Sequence, residues 1–115
     1  RDGQIEEFVN RLVPENWESM TVIQRRQWLD AGVQFGTEPA KGTHLRGRVC
    51  AAEIWCELFG GDKKDMTTRN TMFIHIALRK LKGFRKGKAK QIFGNNYGKQ
   101  TAYLRSEEIQ VNSTN

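Results

Sequence analysis

The hydrophobic period changes at Gly83, and this constrains the fold more than any other feature of the sequence. Before Gly83, apolar residues recur at helical spacing. Ile74, Ala77, Leu78 and Leu81 share one face of "NTMFIHIALRKLKG". Beyond it the period moves towards two. "FRKGKAKQIF" and "KQTAYLR" flank "GNNYG", whose glycines and asparagines suit turn positions with positive φ. The spacing predicts a helical body followed by a β-hairpin.

Upstream, the pattern is helical throughout. "IEEFVNRL" puts Ile5, Phe8, Val9 and Leu12 on one face, and Pro14 stops it. Residues 13–20 read as a link carrying a buried Trp17. Thr21 and Gln24 form a capping-box pattern for a helix that includes Trp28 and Leu29 and ends at Gly32. Residues 32–47 hold four glycines and one proline and predict an exposed loop. A helix is expected over 48–59, with Ala51, Ile54, Trp55 and Leu58 on one face, Phe59 beside it, and Gly60–Gly61 at its end. "DKKDMTTR" is a polar turn. The next helix is capped by Thr67, Thr68 or Asn70.

This order predicts a mainly α chain with a small β-hairpin, an α+β winged helix-turn-helix. N-terminal helices over 1–31 lead through the loop 32–47 into the winged unit at 48–105, with a flexible tail at 106–115. In a winged helix the second helix of the pair enters the major groove and the hairpin lies on the flanking backbone.

Charge is divided unevenly along the chain. Residues 1–60 hold seven basic and nine acidic side chains, and residues 61–115 hold twelve and four. The whole excess of +6 therefore comes from the second half. Arg79, Lys80, Lys82, Arg85, Lys86, Lys88 and Lys90 fall within twelve residues. A dense one-sided patch of this kind is the footprint of a polyanion partner. These seven and Lys99 are expected to hold phosphate, which positions a duplex without reading it. Arg69, Asn70 and His75 are candidates for base or sugar contacts. For Asn70 an N-capping role competes, and for His75 a plain exposed position does.

Other chemistries find little support. "GNNYGKQ" resembles a phosphate-binding loop, but three residues separate its glycines where four are needed, and Gln100 follows Lys99 in place of Ser or Thr. Cys50 and Cys56 and the two histidines make no zinc spacing. The cysteines read as buried free thiols of a reducing cytoplasm. No nucleophile is paired with His44 or His75. The neighbours Glu6–Glu7 and Glu107–Glu108 read as charged surface. "NST" at 112–114 matches a glycosylation acceptor, yet no leader argues for secretion. No apolar run approaches the about 18 residues of a membrane span. We therefore expect no enzyme activity, no metal and no cofactor within these residues. The first residue is not Met and the end is polar, so a piece of a longer protein is expected.

"RVCAAEIWCELFGGDKKDM", "IALRKLKGF" and "FGNNYGKQTAYLR" resemble the C-terminal region of the virulence-associated protein E family, helicase- or primase-like proteins of phages and mobile elements. "IEEFVNRLVPENWESMTVIQRRQWL" is similar to the segment leading into that region. The resemblance implies an accessory domain of a replication protein, with an ATPase domain upstream, helping the motor engage DNA. Met72, Phe73 and Ile76 depart from the family, which carries polar residues there. That departure reads as an enlarged core or as an apolar contact patch; it puts the groove-reading role of this helix in question and opens the alternative of an interaction or oligomerisation module. The expected partner is double-stranded rather than single-stranded DNA, with homo-oligomer formation left open and no membrane.

Overall fold

Helix α1 (Asp2–Asn10) turns Ile5, Phe8 and Val9 inward, as their spacing predicts. The computed structural model that shows this describes residues 2–34 and 42–106, with 32–34 and 95 by backbone alone. Leu12, expected on the same face, is exposed. The helix stops at Asn10, so its 3.6-residue phase does not carry to position 12. A 3-10 turn (Trp17–Ser19) seats the Trp17 indole in the core.

Helix α2 (Val22–Gln34) opens on the expected capping box. Thr21 N–H donates to Gln24 Oε1 at 2.9 Å, and Gln24 N–H donates to Thr21 Oγ1 at 3.1 Å. The helix continues past Gly32, the expected start of the loop 32–47; residues 35–41 of that stretch, like the tail from 107 onward, lie outside the described residues. The last part of that segment, residues 42–47, is largely exposed as expected: Thr43, His44, Leu45 and Gly47 face solvent, and Arg46 alone is buried. Val13 and His44 form an isolated antiparallel bridge there, and the buried Arg46 side chain lies against the Phe8 and Trp17 rings.

The single helix expected over 48–59 is three elements. Strand β1 (Arg48–Val49) comes first. Cys50, extended at φ −126° and ψ 162°, then starts helix α3 (Ala51–Glu53), and the Glu53 carboxylate accepts the Cys50 N–H at 2.9 Å. The chain next widens into a π-helical turn (Ile54–Leu58), with Phe59 N–H donating to Ile54 O at 3.1 Å. A 3-10 turn (Lys63–Asp65) leads to helix α4 (Thr68–Lys80). Of the three candidate caps, Thr67 is the one used: its hydroxyl accepts the Asn70 N–H at 3.1 Å. Ile74, Ala77 and Leu78 are buried as the stripe predicts.

The predicted hairpin forms as two ladders. Strand β2 (Phe84–Lys86) pairs antiparallel with β5 (Tyr103–Arg105), and β1 pairs with the other edge of β5, giving the order β1-β5-β2. Farther out, β3 (Gln91–Ile92) pairs with β4 (Lys99–Gln100). Residues 87–90 separate the ladders on one side, and only Thr101 and Ala102 on the other. The turn is one helical turn, α5 (Gly94–Tyr97), flanked by Gly94 and Gly98, both at φ +64°. That backbone region costs glycine nothing and strains residues with a Cβ. The architecture is therefore α+β, a helical body carrying a small antiparallel sheet.

Two apolar clusters hold it together. The larger gathers Ile5, Phe8, Trp17, Ile54, Leu78 and Tyr103, among others, from both halves of the chain. The smaller holds Cys50, Ala52, Cys56, Phe93, Tyr97 and Ala102. Both cysteines are free, as expected, and burial pushes their thiols above the usual range. Between the clusters runs a buried polar network. Arg25 Nη1 donates to Glu53 Oε2 at 2.9 Å and to Glu57 Oε2 at 2.8 Å, its Nε and Nη2 donate to Trp17 O, and the Tyr97 hydroxyl donates to Glu57 Oε2 at 2.6 Å.

Candidate nucleic-acid interface

The basic stretch 79–90 is spread over three settings by the elements that carry it. The first is the junction of α4 with the sheet. Lys86 stands opposite Tyr103 in the β2–β5 ladder, and the Tyr103 hydroxyl lies 2.9 Å from His75 Nδ1. Arg79 is one turn beyond His75 on the same helix face, since residues four apart in a helix are neighbours. His75 is half-buried. Burial first, then the charges of Arg79 and Lys86, hold its pKa below the ordinary value of 6.5. Those three side chains thus share one region, and His75 is neutral there near pH 7.

The second setting is the groove between α4 and α1. Lys80 and Lys82 line a hollow of about 360 Å³ with Ala77, Leu81 and the first turn of α1, including Asp2 and Glu6. Neither lysine forms an ion pair with a described residue, but both stand in the field of acids from the first half of the chain. The third setting is the outer face of the sheet. Arg85 alternates with Lys86 and so points to the opposite face, the one shared with Leu104. Lys88 and Lys90 are exposed on the segment between β2 and β3, and Lys99 is exposed on β4, opposite Ile92.

The end of the hairpin is not a free projection. Asn96 Oδ1 accepts the Val22 N–H at 3.3 Å, and its Nδ2 donates to Met20 O at 2.8 Å, so it caps α2. Lys63 Nζ donates to Asn96 O, and Tyr97 is buried against Glu57. The turn expected at "GNNYG" is present, and it packs onto the body. The exposed cationic portion is residues 85–90, midway along the hairpin. The cause is Tyr97 and Phe93: two aromatics that bury themselves pull the turn onto the body.

On α4 itself, Arg69, Met72, Ile76 and Arg79 are exposed. Met72 is 47% exposed and Ile76 42%, whereas Phe73 packs edge-on against Phe59 with ring centroids 5.6 Å apart. Asn70 is engaged at the helix start, its Nδ2 donating to Asp65 O at 2.9 Å. One of its two side-chain N–H donors is thus committed to the protein, which fixes the amide at the helix start and weakens it as a bidentate reader of adenine.

Among the described residues, the ion pairs join Arg25 to Glu53 and Glu57, and Arg48 to Glu18. None involves the predicted site residues, so their positive charge is uncompensated at contact distance. Two contributors were missed at the level of sequence. Tyr103 fixes His75, and only its place in an alternating strand could have pointed to it. Arg48 bonds Glu18, Gln91 and Ile92 O and lies 4.1 Å from the Phe93 ring centroid, which ties β1 to β3. It reads as one more basic residue until the sheet order is known. Among the described residues, no helix is long and apolar enough to cross a membrane. Compared with protein-family models and with curated proteins, the chain matches none.

Proposed function

We propose that the chain is a double-stranded DNA-binding module of the winged-helix type, gripping phosphate through the end of α4 and the 85–90 segment. The strand–helix–turn–helix–hairpin order supports this reading, with β1 pairing to the last strand and α4 as the second helix of the pair. The observation that carries it is the run Arg79–Lys90: seven cations in twelve residues, none ion-paired with a described residue. Each that neutralises a phosphate releases condensed counterion. Backbone contact dominates over base reading, because the outward face of α4 offers Met72 and Ile76 where a reading helix offers hydrogen-bonding groups. Duplex is favoured over single strand on a second ground. Single-strand sites stack bases on exposed aromatics, and the large apolar side chains exposed among the described residues are all aliphatic or Met. The resemblance to the virulence-associated protein E family supports a place downstream of the ATPase of a helicase- or primase-type replication protein.

The test is titration of a labelled duplex over a salt series. Affinity should fall steeply with salt. The triple reversal R85E/K86E/K88E should weaken binding and make the log–log salt slope shallower by roughly 2.7, three phosphate contacts' worth. Binding and slope unaltered by the reversal would overturn the reading. The exposure of Met72 and Ile76 favours a second reading, a protein-docking or self-association surface on α4. Sedimentation separates the two: a salt-insensitive dimer without duplex affinity supports the second.

A further inference from the structure

His75 is held by a contact that survives either charge state of its ring. Tyr103 is fully buried in the sheet, so its hydroxyl presents a fixed point 2.9 Å from His75 Nδ1. A tyrosine hydroxyl both donates and accepts. In the neutral tautomer that accepts the Tyr103 hydroxyl at Nδ1, the ring proton sits on Nε2. Beside a charged ring it accepts from Nδ1–H, and Nε2 still carries its proton. Nε2 makes no hydrogen bond to a described residue, so an N–H donor is left over in the charged ring and in that neutral tautomer.

The groups facing the ring are Arg79 from its own helix, Lys86 from β2 and Tyr103 from β5. No described carboxylate acts on it. Two fixed cations and one ring donor converge on one region, and nothing anionic among the described residues completes it. We propose that His75, Arg79 and Lys86 form a single phosphate-binding site, in which His75 takes up a proton as the oxyanion docks. The inference deepens the duplex-binding reading and rests on it, with a phosphodiester as the ligand.

Sign and size follow from linkage. With the site empty, charging the ring works against burial and against Arg79 and Lys86, so the free ring titrates below 6.5. A bound phosphate offsets both cations and accepts from Nε2–H, which raises the ring's pKa. Affinity then rises as the pH falls, by about tenfold for each unit separating the free and bound pKa values.

The experiment measures duplex affinity of the whole chain at about pH 6 and about pH 8, at fixed salt, where histidine is the side chain that ordinarily titrates. It is paired with an NMR titration of the His75 ring alone, with inorganic pyrophosphate and with duplex. The wild-type chain should bind duplex several-fold to about tenfold tighter at the acid pH, both anions should raise the ring pKa, and H75Q should lose the acid enhancement. Because Glu53 also titrates near this range, the comparison with H75Q isolates the ring. Duplex binding that is equally strong at both pH values, with a ring pKa that pyrophosphate leaves unmoved, overturns the proton-linked site and leaves duplex binding standing. A ring pKa raised by pyrophosphate in a chain with no duplex affinity keeps the phosphate site and sinks the duplex reading. An acid enhancement retained by H75Q overturns the proposal.

Discussion

The molecule treats charge in two opposite ways. Between its two apolar clusters, Arg25, Glu53 and Glu57 are bonded to one another out of water, and Arg46 lies with them. Along the outside, from Arg79 to Lys90, seven cations are distributed over the end of α4, the α1 groove and the sheet, with no ion-pair partner among the described residues. The inner charges come in equal numbers of each sign; the outer ones are all positive. Burying an unpaired ion costs several kcal/mol, roughly, which the bonds from Arg25 to Glu53 and Glu57 offset. Exposed cations cost little to leave unpaired, so their excess reflects what the surface meets and contributes little to what holds the fold. The comparison assigns the inner set to structure and makes the outer set the candidate for the proposed duplex contact, and each half can be tested.

Removing one member from the inner set should have the largest effect. Arg25 is 2% exposed and donates to both carboxylates and to Trp17 O. R25M leaves Glu53 and Glu57, buried and alike in sign, without that donor. We expect a loss of about 3–5 kcal/mol of unfolding free energy, read from urea denaturation. A loss under about 1 kcal/mol, the range of an exposed pair, would mean that the network contributes no more than surface charges do. Arg46 is the exception, buried with no ion pair among the described residues. Its guanidinium lies 4.5 Å from the Phe8 ring centroid and 5.2 Å from that of Trp17, and Nη2 donates to Phe8 O, but Nε and Nη1 have no partner among the described residues. Burial lowers its pKa.

A smaller effect is expected from pH. Burial first, then the nearby Glu57 charge, raises Glu53 from its ordinary 4.5 to about 7. The folded chain therefore binds this proton more tightly than the unfolded chain does. The resulting stabilisation is fully present below about pH 4.5 and is lost as the pH rises through about 7. At about 1.4 kcal/mol per pKa unit the total is on the order of 3 kcal/mol. Unfolding free energies measured across this window should fall for the wild-type chain relative to E53Q. His75 contributes with the opposite sign, since its pKa is lowered, and it is present in both chains, so the difference between them reports Glu53. A difference that does not change with pH would remove the buried carboxylate from the comparison.

The sequence was legible where one local pattern decides the outcome. The Thr21–Gln24 capping box, the inward face of α1, the stripe Ile74–Ala77–Leu78 and the change of period at Gly83 are each written within a dozen residues, and each is present in the fold. It was not legible where the partner lies far along the chain. Strand β1 has two residues and pairs with a strand more than fifty positions away, so it has no alternation to detect. Arg25 sits in "IQRRQW", which reads as solvated surface until Glu53 and Glu57 close over it. The one available hint was a pair of carboxylates four apart in the apolar run "AAEIWCELF". The basic residues were found by composition, but their division over α4, the α1 groove and the two sheet faces follows from strand alternation and helix phase. Those depend on a register that only the fold supplies.

The smallest stability change is predicted where the charge is densest, and it completes the comparison. Arg85, Lys86 and Lys88 are exposed and make no ion pair with a described residue, so reversing them breaks no bond in the folded chain. R85E/K86E/K88E should shift the unfolding free energy by no more than about 0.5 kcal/mol per site. The sign should favour the variant, because like charges crowded on β2 and the following segment repel and the reversal relieves them. Denaturation midpoints on the same preparation used for duplex titration measure both sides at once. Lower stability by several kcal/mol would show that these cations are structural after all, and the division between a compensated interior and a functional exterior would fail at its outer half. Stability retained together with lost salt-dependent binding would place the three side chains in contact with the polyanion and outside the forces that hold the fold.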